Sequence, residues 1–176
     1  MKITGKIRYK KLAQYLSSFA SLPSTTNAEK LPDGCLVEKT QKSMDKDVIF
    51  QFSTKKIEDP DVLEAQKQGM VPADVLEARV IEIKERKERT SPPNVTIGRA
   101  AQNDIILYNK MFSKTHAYLE ISESGEGSCL IDVASKNGTF LNGSEILANQ
   151  SYQLTDGDEI SFGPETTVVY FSSKTF

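Results

Sequence analysis

The stretch Thr139-Phe140-Leu141-Asn142-Gly143-Ser144-Glu145-Ile146 decides the fold. Asn142-Gly143 stands between two short runs that mix apolar and polar residues. A two-residue hairpin turn needs positive φ at both of its positions, and Asn-Gly tolerates that best. The stretch therefore predicts a tight antiparallel hairpin. Working outward, strand-like runs alternate with turn residues at spacings of roughly ten residues, the pattern of an antiparallel sandwich or barrel. The runs are Val75–Lys84, Val95–Gly98, Asp104–Leu107, Ala117–Ser122, Cys129–Val133, Thr139–Leu141, Glu145–Leu147, Tyr152–Leu154, Glu159–Phe162 and Thr167–Phe171. In one of them Ala117, Leu119 and Ile121 face one way while Tyr118 and Glu120 face the other. In another, Ile160 and Phe162 point inward together. Asp156-Gly157 is a second turn signal.

The junctions between these runs carry the chemistry. Ile97-Gly98-Arg99, Ser113-Lys114-Thr115-His116 and Ser135-Lys136-Asn137-Gly138-Thr139 each sit where one predicted strand ends or the next begins. They put a guanidinium, a hydroxyl, two ammonium groups and a carboxamide on loops of one β-rich domain. A guanidinium presents a planar fork that matches two oxygens of a phosphate. A phosphothreonine offers about −1.5 to −2 charges and three strong acceptor oxygens. A carboxamide both donates and accepts, so Asn137 suits a peptide main chain. The set fits capture of a phosphate carried on a peptide.

Composition bounds the rest. The chain has 176 residues and a formal net charge of −2, with 38% hydrophobic and 26% charged residues. A core of about 100 residues is within reach at this length. The weak negative charge argues against general nucleic-acid binding, which needs a basic surface. No apolar run approaches the roughly 18 residues needed to span a bilayer. The N-terminus lacks a continuous apolar segment and a cleavage signal, so a cytoplasmic location is expected. Cys35 and Cys129 are expected to be unpaired, and with one histidine no structural zinc site or other cofactor is expected.

The first 70 residues read as a separate α/β extension, with the sandwich over 71–176. Lys6 to Leu22 predicts an amphipathic helix from the spacing of Leu12, Tyr15, Leu16, Phe19 and Leu22. Its lysines suit solvent, with docking on a membrane or partner groove as the alternative. Cys35–Glu38 and Val48–Phe52 predict two short strands, and Asp59-Pro60 opens a short helix that Gly69 stops. Lys84 to Arg89 followed by Pro92-Pro93 reads as an exposed loop.

Taken together, Gly98-Arg99, Ser113-x-x-His116, Asn137-Gly138-Thr139, Leu141-Asn142-Gly143 and Leu154-x-Asp156-Gly157-Asp158-x-Ile160-x-Phe162-Gly163 resemble the forkhead-associated (FHA) domain over about residues 75–171. The resemblance implies an eleven-stranded antiparallel β-sandwich whose loops at one end bind phosphothreonine peptides. It implies that Arg99 binds the phosphate, that Ser113 bonds a phosphate oxygen, and that Asn137 grips the ligand backbone. Lys114 and Lys136 fall beside those positions, at places where the family often carries other polar or basic residues. Gly98, His116 and Gly138 match residues that hold the loops in shape. The implied partners are phosphothreonine proteins made by a Ser/Thr kinase, with a role in signalling and no catalysis.

Three rivals follow from the same residues. A hydrolytic triad of Ser113, His116 and Asp132 would need convergence that a three-residue Ser–His spacing at a loop-to-strand junction does not favour. A phosphate-independent scaffold or oligomerisation module would use the same sandwich without its charges. Thr25 or Thr26, in a polar segment of the extension, could themselves be phosphorylated and dock on another copy.

Overall fold

The computed structural model describes residues 10–11, 14, 34–39, 79–84, 94–122, 127–164 and 166–172. Twelve strands run through them: β1 Lys10–Lys11, β2 Gly34–Glu38, β3 Arg79–Ile83, β4 Asn94–Gly98, β5 Ile105–Ile106, β6 Ala117–Ile121, β7 Ser128–Asp132, β8 Thr139–Leu141, β9 Ser144–Glu145, β10 Ser151–Gln153, β11 Glu159–Phe162 and β12 Thr166–Ser172. They form a seven-stranded sheet, ordered β1-β3-β2-β12-β11-β8-β9, and a five-stranded sheet, ordered β10-β7-β6-β4-β5. Without the two-residue β1, eleven strands remain. Every pairing is antiparallel except β4 with β5, which run parallel through Ile97↔Ile105 and Gly98↔Ile106.

The expected hairpin is β8–β9. Phe140 pairs Glu145 and Leu141 pairs Ser144, while Asn142 and Gly143 take φ of +50° and +81°. The alternation along β6 holds: Ala117, Leu119 and Ile121 are buried, and Tyr118 and Glu120 are half-buried. Ile160 and Phe162 both enter the core. One apolar cluster draws on both sheets, with Val95, Ile97, Leu119 and Leu130 from one and Leu36, Ile83, Phe162 and Tyr170 from the other. Each such side chain fully buried contributes about 1.5–3 kcal/mol. Tyr170 also ties the layers together by donating its hydroxyl to Ser128 Oγ at 3.2 Å, inside the core.

Three expectations change. Gly34–Glu38, which sequence reading assigned to the extension, lies inside the sandwich. Here β2 sits between β12 and β3, pairing Val37 with both Val169 and Val80. Its Cys35, Leu36 and Val37 are completely or almost completely buried. Second, Lys10–Lys11, within the segment expected to be helical, is a strand paired with Val80 and Arg79. Third, the run Asp104–Leu107 narrows to Ile105–Ile106 because Asp104 turns its carboxylate back onto Thr96, accepting from its amide at 2.9 Å and its hydroxyl at 2.7 Å. The expected strand Val48–Phe52, the helix opening at Asp59 and residues Thr25 and Thr26 lie outside the described residues.

The register brings several strand ends to one pole. Here β4 ends at Gly98, β6 begins at Ala117 and β7 ends at Asp132. In the other sheet Phe162, the last residue of β11, pairs with Thr139, the first of β8, and with Thr166, the first of β12. The backbone bond from Gly163 N to Gly138 O, 2.9 Å, closes that end.

Candidate functional site

Arg99 is the first residue beyond β4, and its position is set by backbone pairing. Arg99 N donates to Ser113 O and Ala100 N to Lys114 O, both at 3.1 Å, while His116 N donates to Ile97 O at 2.8 Å. The chain on either side of Arg99 is thus laid along the Ser113–Lys114 segment. Gly98 permits this approach. A Cβ there would stand 2.5 Å from Lys114 O and 2.9 Å from both Asn103 Nδ2 and Thr115 Cα. Two of those three atoms are backbone and cannot swing away. Buried Asn103 locks the arrangement by donating to Ala100 O at 2.9 Å and Lys114 O at 2.6 Å.

The third loop is pinned to the second. Lys136 N donates to Ser113 Oγ at 2.9 Å, and Asn137 Nδ2 donates to Met111 O at 2.7 Å. A hydroxyl that accepts one bond keeps its own O–H to donate. Asn137 likewise retains its Oδ1 and a second N–H in that inventory. Arg99, Lys114 and Lys136 are exposed, and Ser113 and Asn137 are half-buried. None of the three cations forms an ion pair with another described residue. The structure therefore brings Arg99, Ser113, Lys136 and Asn137 onto three adjoining loops, with Lys114 next to Ser113.

His116 lies beneath them with no exposed surface. Its Nδ1 accepts from Ser113 N at 3.3 Å, and its Nε2 faces Gly138 O at 3.2 Å. That pair of partners fits the neutral ring protonated on Nε2. Phe112 and Phe162 meet the ring edge-on at centroid distances of 5.8 and 5.7 Å. Burial lowers the imidazole pKa below its usual value, although the Gly138 carbonyl and the Asp132 charge pull the other way. Asp132 is buried too. Burial alone would raise its pKa, but hydrogen bonds from Ser135 and Thr139, aided by His116, outweigh that and hold the carboxyl below its ordinary range. The Thr139 hydroxyl is 2.6 Å from Oδ1 and the Ser135 amide 2.9 Å from Oδ2. The Ser113–His116–Asp132 set is no hydrolytic relay, because both ring nitrogens are engaged by backbone groups and the Ser113 hydroxyl accepts from Lys136.

Gly138 takes φ of +72°, a conformation that disfavours any side chain. A Cβ there would also lie 2.7 Å from Glu145 Oε1. Sequence reading singled out Arg99, Ser113 and Asn137 but passed over Asn103, the lock beneath Arg99. Asn103 stands just before the strand-like run that opens at Asp104, where an asparagine ordinarily serves a turn, so nothing marked it as a buried clamp. Among the described residues no group of three or more His, Cys, Asp or Glu side chains is placed to hold a metal ion. Also among them, no helix is long and apolar enough to cross a membrane.

Residues 95–163 match the model of the FHA domain family. Protein FraH of Nostoc sp. is 32% identical over 79 residues, which is 45% of this chain and only 25% of FraH. The chain thus spans a quarter of that relative. An engineered FHA domain solved with a Myc-pTBD peptide aligns with a TM-score of 0.51 at 20% identity, covering 84% of this chain and 96% of that one. The N-terminal FHA domain of Saccharomyces cerevisiae RAD53P, solved with a phosphothreonine peptide, aligns at 27% identity and a TM-score of 0.47, covering 62% and 90%. Residues 95–163 of this sandwich thus match the forkhead-associated domain model, and its fold is that of a solved FHA domain.

Proposed function

We propose that this protein is a phosphothreonine-dependent protein–protein interaction module that takes its ligand on the loops of Arg99, Ser113, Lys114, Lys136 and Asn137. The carrying observation is that Arg99 N and Ser113 O are 3.1 Å apart while the Arg99 side chain is exposed and unpaired among the described residues. Arg99 supplies the fork for two phosphate oxygens, and Ser113 donates its hydroxyl to an oxygen. Lys114 and Lys136 add positive charge, and Asn137 reads the peptide main chain. Hydrogen bonds to a charged partner contribute roughly 1.5–3 kcal/mol each. A few of them reach micromolar affinity, about −8 kcal/mol. Gly98, His116 and Gly138 hold the loops in shape.

The partner class is a phosphothreonine protein produced by a Ser/Thr kinase, and the role is recognition in signalling, without catalysis. A cytoplasmic site of action belongs to this proposal. The test is titration with phosphothreonine peptides and their unmodified twins. Binding is expected for the modified forms only. Arg99→Ala is expected to weaken it at least about tenfold, or 1.4 kcal/mol, with an unchanged circular dichroism spectrum. Equal affinity for both peptide forms would favour the phosphate-independent scaffold instead.

A further inference from the structure

Glu145 stands outside the groups assigned so far. On β9 it pairs across the hairpin with Phe140, and its carboxylate lies against Gly138, where a Cβ would be 2.7 Å from Oε1. Gly138 follows Asn137 directly, and its carbonyl faces His116. An exposed carboxylate therefore overhangs the segment on which the peptide main chain is proposed to lie. The neighbouring loops carry exposed Arg99, Lys110, Lys114 and Lys136. Glu145 nevertheless forms no hydrogen bond or ion pair with another described residue. A carboxylate that served to steady the loop would be expected to take one of those cations or a backbone amide.

We infer that Glu145 selects ligands by charge: it favours phosphopeptides with lysine or arginine at the flanking position that passes Gly138 and disfavours those with aspartate or glutamate there. This rests on the phosphopeptide reading above. The phosphate anchors one residue of the peptide, and Asn137 fixes the course of the main chain beside it. One flanking side chain is then brought close to Glu145 on every bound ligand. Like charges placed together at a rim suppress the wrong partner, and opposite charges set the register. An exposed pair of this kind is worth a roughly two- to fivefold change in affinity. It weakens with salt, since screening acts over about 8 Å at physiological ionic strength.

The experiment uses the full chain as wild type, Glu145→Gln, Glu145→Lys and Arg99→Ala. Each is titrated by fluorescence anisotropy with phosphothreonine peptides carrying alanine flanks and a single lysine or glutamate moved through every flanking position. At one position the wild type is expected to bind the lysine peptide roughly two- to fivefold more tightly than the glutamate peptide. Glu145→Gln should flatten that preference and Glu145→Lys should invert it. A charge profile that no Glu145 substitution alters, or a shift shared equally by all peptides, would overturn the inference and leave Arg99-dependent phosphopeptide binding standing. Failure of the wild type to prefer phosphorylated peptides at all would overturn both readings together.

Discussion

At the residue scale the telling group is a histidine buried beneath the candidate loops. His116 is buried between two aromatic rings, with each ring nitrogen turned to a backbone group of a different loop. Protonating it would convert Nδ1 from acceptor to donor and set it against the Ser113 amide. Burial lowers its pKa from 6.5. The unfolded chain therefore binds more protons than the folded one below that pH. Stability is expected to be level above about pH 6.5 and to fall as pH drops below it. Asp132, held below 3.8, adds a second loss further into acid, because its favourable interactions persist only while it stays ionised. Chemical denaturation from pH 8 to pH 5 checks the first stage. The difference in unfolding free energy between wild type and His116→Gln should shrink as pH falls, because the variant has no imidazole to charge. A constant difference would remove His116 from the account.

At the element scale the junction of β4 with the Arg99 loop is the most constrained. Gly98→Ala would press a methyl group on the Lys114 carbonyl at 2.5 Å. Overpacking of this kind costs about 1–3 kcal/mol. The variant is expected to unfold at lower denaturant and to bind phosphopeptide more weakly, because the Arg99–Ser113 pairing must open to admit the methyl. Much at this scale was legible in advance. Thr139–Leu141 and Glu159–Phe162 match their predicted bounds, and β6 alternates as read, because period-two patterns and Asn-Gly turns are local signals. The parallel pairing of β4 with β5 and the place of β2 were not legible. Both depend on which distant segment supplies the neighbouring strand, and no local pattern carries that information. The site divides in the same way. Arg99, Ser113 and Asn137 stand out by motif, whereas Asn103 and Asp132 act by bonding backbone and hydroxyl groups that only the fold brings to them.

At the scale of the whole molecule, Gly34–Glu38, far from the rest of the sandwich in sequence, belongs to it. With β2 between β12 and β3, removing residues 1–70 would leave β12 and β3 without their shared partner. It would also withdraw Cys35, Leu36 and Val37 from the core. At about 1.5–3 kcal/mol for each large side chain, that loss is comparable with the roughly 5–15 kcal/mol by which domains are stable. A fragment of residues 71–176 is expected to show no cooperative unfolding transition, whereas the full chain should show one. A fragment that melts as sharply as the full chain would mean that β2 is dispensable.

The lacing of the three loops has a kinetic meaning. Lys136 N donates to Ser113 Oγ and Asn137 Nδ2 to Met111 O, so the loops are held together by their own bonds. On the phosphopeptide reading proposed above, a peptide docking on loops tied in this way would have little protein left to arrange, so little of the attraction would be consumed in ordering it. On that reading the speed of capture would depend on how often the two molecules collide and on the pull of the cationic rim, while the lifetime of the complex would record how well the particular peptide fits.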